Sequence, residues 1–393
     1  LRMASNELPD IFMSMDITRA QEMIFGQQQA FLPLNDLIES QGYYIKEMFK
    51  ARPQMYDAIK APDGNIYSIP EVNECYHCSM AVKMWINQDF LNAVGMDMPQ
   101  TTEQFYEVLK AFKEQDPNGN GKPDEIPLAG TTKSWYADVE TFLMNSFVYT
   151  PPAGAPKGVY VKDGVIQLSF MQPGWKEGLK YLHRLYSEGL IAGESFTQDG
   201  QQLMQMGEHP EAPILGAFPG GYMALATEYM GESGRWKTYT AVPPLAGPDG
   251  TRQAVHLPYQ FVSGKLVVTT ATKYPEVALR WADGFFKEEV LLRANQGVPG
   301  VDWKEADPGM KGIDGRPAKW ETIATYGEVS DTQWYQRNPG FLSNEFRLSM
   351  AAGENPSENL EVILYNETHE KYEPYKAPVE MALPPLFFKD EES

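Results

Sequence analysis

Cysteine is almost missing from this chain, with two in 393 residues, Cys75 and Cys78. No second pair exists to complete a tetrahedral zinc site, although His77 stands between them. A thioredoxin-type motif opens a helix after a strand, whereas the flanks "VNECYHCSMAVKMWIN" read as extended chain. The pair reads as structural thiols or one local disulfide; a ligand-contacting turn and a redox or metal role stay open. Basic residues are also scarce, 33 against 53 acids, for a net charge of -20. That excess repels phosphate backbones and anionic lipid surfaces, which argues against nucleic-acid partners. The acids are spread without a long run of like charge and read as solvated surface. No stretch approaches about 18 uninterrupted apolar residues, so no membrane-spanning segment is expected, and no signal peptide is recognised. Catalytic signatures are lacking too. The five histidines, His77, His183, His209, His256 and His369, are scattered. There is no H-E-x-x-H, G-x-S-x-G, P-loop or G-x-G-x-x-G pattern. "FPGGYMA" is glycine-rich but brings no lysine for a phosphate. Acids are abundant, so counting alone does not exclude a glycosidase pair.

What is present fits a large α/β protein. A length of 393 residues suggests two domains, and 42% hydrophobic residues can fill two cores. "LPDIFMSMD" (8–16) reads as a strand ending in an acid, and "LPLNDLIESQ" and "YYIKEMFKARP" as short helices. Asp63-Gly64 and Asp163-Gly164 each sit between apolar residues and signal hairpins. Thr101 with Gln104 forms a capping-box pattern, and Phe105, Val108, Leu109 and Phe112 then recur at helical spacing. "IPLAGTT" and "FVSGKLVVTT" read as strands, and "APILGAFPGGYMALATEYM" as a strand, a glycine turn and a helix. Two further helices carry stripes expected to face the core: Trp175, Leu179, Leu182 and Tyr186 on one, and Val277, Trp281 and Phe285 on the other. Strands alternating with helices imply an α/β architecture. No single linker marks a domain boundary, as expected where the chain crosses between domains more than once.

The most specific stretch is "DPNGNGKPDEIP", Asp116 to Pro127. Asp116, Asn118 and Asn120 occupy positions 1, 3 and 5, Lys122 can offer its carbonyl at position 7, and Asp124 and Glu125 follow. Calcium takes roughly six to eight oxygens, which this segment can supply, and Gly119 and Gly121 permit the bends. Position 12 is Pro127 rather than a bidentate glutamate, so the loop is not an EF-hand. All its ligands come from one segment. A bound Ca2+ would therefore be structural, joining a helix end to a strand; the other reading is a polar turn. The loop aromatics Trp135, Tyr136, Tyr222 and Tyr259 suit stacking on the C–H faces of sugars, or packing on their own domain.

Three stretches carry a resemblance: "NELPDIFMSMD", "KMWINQDFLNAVGMDMPQTTEQFYEVLKAFKEQDPNGNGKPDEIPLAG" and "VPPLAGPDG". In these the chain resembles the extracellular solute-binding proteins of carbohydrate ABC importers, and most closely the Gram-positive lipoprotein subgroup that carries a calcium loop. The resemblance implies a two-lobed periplasmic-binding-protein fold with an interlobe ligand cleft and a hinge. It implies crossings near Ser79–Trp85 and Phe261–Lys265, an N-terminal lobe of 1–80 with 265–305, and a C-terminal lobe of 81–264 with 306–393 holding the calcium loop. By position it assigns Asp16, Glu74, Tyr76, Trp135, Tyr136, Tyr222 and Glu345 to ligand binding, beside the loop ring Tyr259; relatives often hold tryptophan where Tyr222 stands. It implies no catalytic centre, a carbohydrate ligand, an oligosaccharide given several stacking platforms, and delivery to the transmembrane subunits of a permease. It further implies a monomer outside the cytoplasm, tethered by a lipid anchor. The signal peptide, the lipid-modified cysteine and a first strand found in the family are expected to precede the sequence, and clipping is expected at both ends. The alternatives are a secreted carbohydrate-active hydrolase and a surface adhesin or sensor partner; a peptide or another small solute also stays open.

Overall fold

The computed structural model describes residues 7–15, 17–152, 157–323, 332–334 and 337–386. Among them the strands are, in chain order, β1 (Ile11–Met13), β2 (Ile69–Asn73), β3 (Met84–Asn87), β4 (Ile126–Leu128), β5 (Val159–Lys162) and β6 (Val165–Leu168). There follow β7 (Leu215–Pro219), β8 (Tyr239–Val242), β9 (Phe261–Val268), β10 (Trp303–Glu305), β11 (Trp320–Thr322) and β12 (Gly340–Leu342). The chain divides into two compact units. The first takes the chain up to Cys75, Tyr259–Val362 and the chain from Pro384; the second takes Tyr76–Pro258 and Ile363–Leu383.

The first unit is built on a sheet of order β1-β9-β2-β12. β9 pairs antiparallel with β1 and β2, and β12 joins β2 in parallel. Ile69 and Val72 of β2 and Leu266 and Val268 of β9 are buried with Ile38, Ile45, Met48 and Leu279 from flanking helices. This interior admits the ion pair of Lys265 with Glu71, at 2.8 Å across neighbouring strands, with both side chains largely buried. A second cluster packs Trp303 and Trp320 of the small β10–β11 ribbon on Leu342 and Phe346.

The second unit has a sheet of order β4-β7-β3-β8. β3 and β7 lie inside it and are buried along their whole length. They are apolar but for Asn87, which caps the next helix, as strands covered on both faces must be. Trp85 is fully buried, and its indole N–H donates to Gly220 O at 2.9 Å. The helix Thr102–Glu114 begins where expected, with Thr101 Oγ1 accepting from Gln104 N, and buries Phe105, Val108, Leu109 and Phe112. Phe112 lies against β7 so closely that a Cβ on Gly216 would come within 2.5 Å of its ring. The β5–β6 hairpin turns at Asp163-Gly164, both at positive φ (52° and 75°), as the sequence predicts.

Several expectations are corrected. Asp63-Gly64 does form a turn, with Gly64 N donating to Ala61 O, but residues 65–68 are not strand. After the Gly220-Gly221 turn there is one 3-10 turn, Met223–Leu225, instead of a helix. Thr227 Oγ1 donates to Met223 O at 2.9 Å, the carbonyl a longer helix would pair with backbone. The helix Pro173–Ser187 buries Gly178, Tyr181 and Leu185 rather than the Trp175 stripe: Leu179 and Tyr186 are exposed and Trp175 is half-buried. Gly178 lets the helix close on Met144 and Phe147, which a side chain there would prevent. The helix Pro275–Gly284 likewise buries Ala278, Leu279 and Ala282. Trp281, expected in the core, is 48% exposed and packs its ring 5.0 Å from Phe285. Residues 306–362, expected with the C-terminal lobe, group with the first unit, because β12 continues the sheet beside β2.

Candidate functional site

The loop after helix Thr102–Glu114 is organised around its acids. Asp116 stands at φ 47°, Gly119 at 69° and Gly121 at 74°, so the backbone coils on itself. Asp116 Oδ1 and Oδ2 accept from Asn120 N (3.1 Å) and Gly121 N (2.9 Å), Asn118 Oδ1 accepts from Asn120 N (2.9 Å), and Asn120 Oδ1 accepts from Lys122 N (2.7 Å). Asp124 receives the amide groups of Asn118 (3.0 Å) and Asn120 (3.0 and 3.3 Å), which hold its carboxyl below the usual range. Glu125 Oε2 is buried with no partner among the described residues. Burial first, and then the Asp116 and Asp124 charges, push the Glu125 carboxyl up. Lys122, the loop's own cation, turns away to Glu211 at 2.8 Å. The charges of Asp116 and Asp124 are thus felt at Glu125, Lys122 also acts on Asp124, and one carboxylate oxygen is left without a partner among the described residues. This donor set fits a hard, oxygen-seeking cation. The loop joins that helix to β4, as the sequence implies.

The second unit also gathers aromatic residues. Trp135 lies 5.7 Å from Tyr136, 5.9 Å from Tyr222 and 6.5 Å from His77, measured between ring centroids. Trp135 is 37% exposed. Tyr136 holds φ at 53°, and burial raises the phenols of Tyr136 and Tyr222. Gly221 N donates to Trp135 O at 3.1 Å, and a Cβ on Gly221 would collide with the indole. The absent side chain of Gly221 thus leaves room for this ring. Tyr76 forms a separate group. Its ring centroid is 5.1 Å from Tyr365, its hydroxyl donates to Glu373 at 3.2 Å, and His369 Nδ1 is 3.3 Å away. Burial and the Glu373 charge drive the Tyr76 phenol far upward.

Glu74, Tyr259 and Glu345 belong to the first unit. Glu74 is clamped by Arg52, whose Nε and Nη2 both donate to it, the latter at 2.8 Å; it also accepts from Asn344 N at 3.0 Å. Arg52 Nη2 reaches on to Glu345 at 3.4 Å, and its guanidinium sits 5.4 Å from the Phe341 ring centroid. Glu345 remains 66% exposed at its side chain. Tyr259 is half-buried and packs against the first unit's core. Asp16 lies outside the described residues.

Cys75 and Cys78 are disulfide-bonded. Their sulfurs and His77 lie within 4.8 Å of one another, but oxidised sulfurs offer no thiolate to a metal. Sequence reasoning missed Arg52, Tyr365, His369 and Glu373, and also Lys83. Lys83 is wholly buried beside the disulfide turn, with Nζ donating to His77 O (3.0 Å) and Met80 O (2.5 Å) and lying 5.1 Å from the Tyr372 ring centroid. No local pattern marks these residues. The one available signal was a lysine, "AVKMWIN", inside an otherwise apolar strand approach.

The family model for bacterial extracellular solute-binding proteins matches residues 1–290. The chain belongs to that family. Among curated relatives, the fructooligosaccharide ABC transporter substrate-binding protein FusA of Streptococcus pneumoniae serotype 4 is 28% identical over 308 residues, 77% of this chain and 55% of FusA. The chain spans about half the length of the curated relatives it matches. Among solved structures, S. pneumoniae FusA in complex with kestose gives a TM-score of 0.76 at 23% identity, covering 99% of this chain and 77% of that one. A human-milk-oligosaccharide-binding solute-binding protein from Bifidobacterium longum infantis gives 0.79 at 22% identity, covering 98% and 76%. These likenesses establish the solute-binding-protein fold: two units, each of mixed helices and sheet. No helix among the described residues is long and apolar enough to cross a membrane.

Proposed function

We propose that this solute-binding protein is the substrate-binding component of an ABC importer for an oligosaccharide, which it hands to the transmembrane subunits of a permease. The observation that carries the reading is the exposed Trp135 indole, flanked by Tyr136 and Tyr222 and seated on a glycine turn shaped for it. Flat rings held by backbone match the C–H faces of sugar rings and lose little entropy on binding. Membership of the family and the glycan ligands of FusA and of the Bifidobacterium protein support the same class of ligand. In the first unit, Glu345 is assigned to glycan hydroxyls, and Glu74, held by Arg52, to positioning. The protein binds its glycan and returns it unchanged; it is not an enzyme. We assign it to the cell exterior as a monomeric lipoprotein.

A Ca2+ ion completes the reading, held by Asp116, Asn118, Asn120, the Lys122 carbonyl, Asp124 and Glu125. The support is the orphaned Glu125 oxygen and the repulsion it meets from Asp116 and Asp124. The ion supplies charge neutralisation and fastens helix to strand; it takes no part in chemistry. The test is titration calorimetry against fructooligosaccharides and other glycans, with calcium and with chelator, and with the sugar recovered afterwards. Binding without cleavage is expected, and Trp135→Ala should weaken it by about 10- to 100-fold. Absence of glycan binding, or shortened products, overturns the reading.

A further inference from the structure

An open pocket in the second unit shares no lining residue with the aromatic group. It has a volume of about 340 Å³ and is formed by the segment 194–198, the helix Gly200–Gly207 and Ile214 just before β7. Two side chains lining it bury a polar atom that has no partner among the described residues: Gln198 at Oε1 and His209 at Nδ1. Gln198 is only 3% exposed, and its Nε2 donates to Gly130 O at 2.7 Å. The amide cannot turn over without losing that bond, so the unpartnered atom is an acceptor.

The rest of the lining narrows the ligand. Among the described residues no lysine or arginine lines the cavity, and Glu194 does, so a phosphate or carboxylate would meet a like charge with only the His209 imidazole to offset it. Nor does a phenylalanine, tyrosine or tryptophan among those residues line it, which removes the usual means of holding a quaternary ammonium group. Gln205 offers both donor and acceptor, while Met206 and Ile214 give apolar surface. The volume is at the small end of ligand pockets, which run from roughly 300 to 1,000 Å³. A neutral ligand with hydroxyls at its edges and C–H groups on its faces meets all four conditions.

We propose that this cavity is a second binding site, for a neutral polyol the size of a single sugar ring. It shares no residue with the Trp135 group and does not depend on the importer reading. The test uses the whole calcium-loaded chain, isotope-labelled, titrated with D-glucose, D-fructose and D-galactose while the ring signals of His209 and the side-chain amides of Gln198 and Gln205 are followed by NMR. Saturable shifts with millimolar dissociation constants are expected for at least one sugar. The shifts of the probes that each variant retains, the Gln198 amide above all, should vanish in Gln205→Trp and His209→Phe, which fill the cavity, and all should persist in Trp135→Ala. Silence of these signals with every sugar overturns the proposal, as does survival of the shifts in both filling variants. Their loss in Trp135→Ala also overturns it, since they would then report the aromatic group. A response to methylammonium but to no sugar shows a cation site and overturns the polyol assignment. Glycan binding that needs Trp135, with the cavity signals unmoved, removes this site and leaves the importer reading standing.

Discussion

Two buried ionisable side chains, one in each unit, make stability depend on pH in opposite senses. In the first unit Glu22 is 1% exposed and accepts from Ser68 Oγ at 2.6 Å, and burial pushes its carboxyl up from 4.5 to about 7. Between those values the native state holds a proton that the unfolded chain releases. Glu22 therefore stabilises fully below pH 4.5, and its contribution is lost as pH rises through about 7. Lys83 in the second unit behaves in the opposite sense. Burial lowers its amine from 10.5 to about 7. A neutral amine still has two N–H groups, and His77 O and Met80 O take both. Its contribution is complete above pH 10.5 and is lost as pH falls through about 7, where a charge must be buried. Glu22→Gln should flatten the fall in stability between pH 4.5 and 7 and raise stability at pH 8 by on the order of 2 kcal/mol, read from urea unfolding. Lys83→Met should abolish the gain between pH 7 and 10.5; an unchanged slope in either variant would show that the group is charged inside the protein.

At the scale of elements, the loop from Asp116 to Glu125 couples a helix to a strand through charge, and the sign of that coupling can be switched. Without a cation, Glu125 repels Asp116 and Asp124, so Glu125→Gln should stabilise the protein in chelator by about 1 kcal/mol. With calcium present the same change removes a charged ligand, and the variant should melt below the parent. Saturating calcium adds about 2.7 kcal/mol at a hundredfold excess over its dissociation constant. Thermal melts of both proteins in both conditions check this; a variant more stable in each would show that Glu125 ligates nothing. Gly221→Ala tests the aromatic group in the same way. The added methyl collides with the Trp135 indole, so glycan affinity should fall about as far as in Trp135→Ala, while the fold survives. The coiled, side-chain-bonded turn of this loop was legible in the sequence because every participant lies within ten consecutive residues. The Asp163-Gly164 hairpin was legible for the same reason, since its turn chemistry is local. Helix faces were less so. On Pro173–Ser187 a tryptophan–leucine stripe and a glycine–tyrosine–leucine stripe share one helix, and tight packing against Met144 and Phe147 chose the second. The Arg52 clamp was hidden because its partners, Glu74 and Glu345, lie 22 and 293 residues away in sequence.

For the whole molecule, the chain runs back and forth between its two units, yet each has its own sheet and its own buried core. Such a chain need not unfold in one step. The perturbations above are sorted by unit: Glu22 belongs to the first, while Lys83 and the cation loop belong to the second. Scanning calorimetry should therefore resolve two transitions. Chelator should lower one of them and leave the other in place. Glu22→Gln at pH 8 should raise the transition that chelator leaves untouched, and a glycan bound through Trp135 should raise the one that chelator lowers. A single transition moved by all three would show that the units melt together, so that a cation held in one stabilises both. That coupling would let calcium in the surrounding medium set the stability of the entire binding protein.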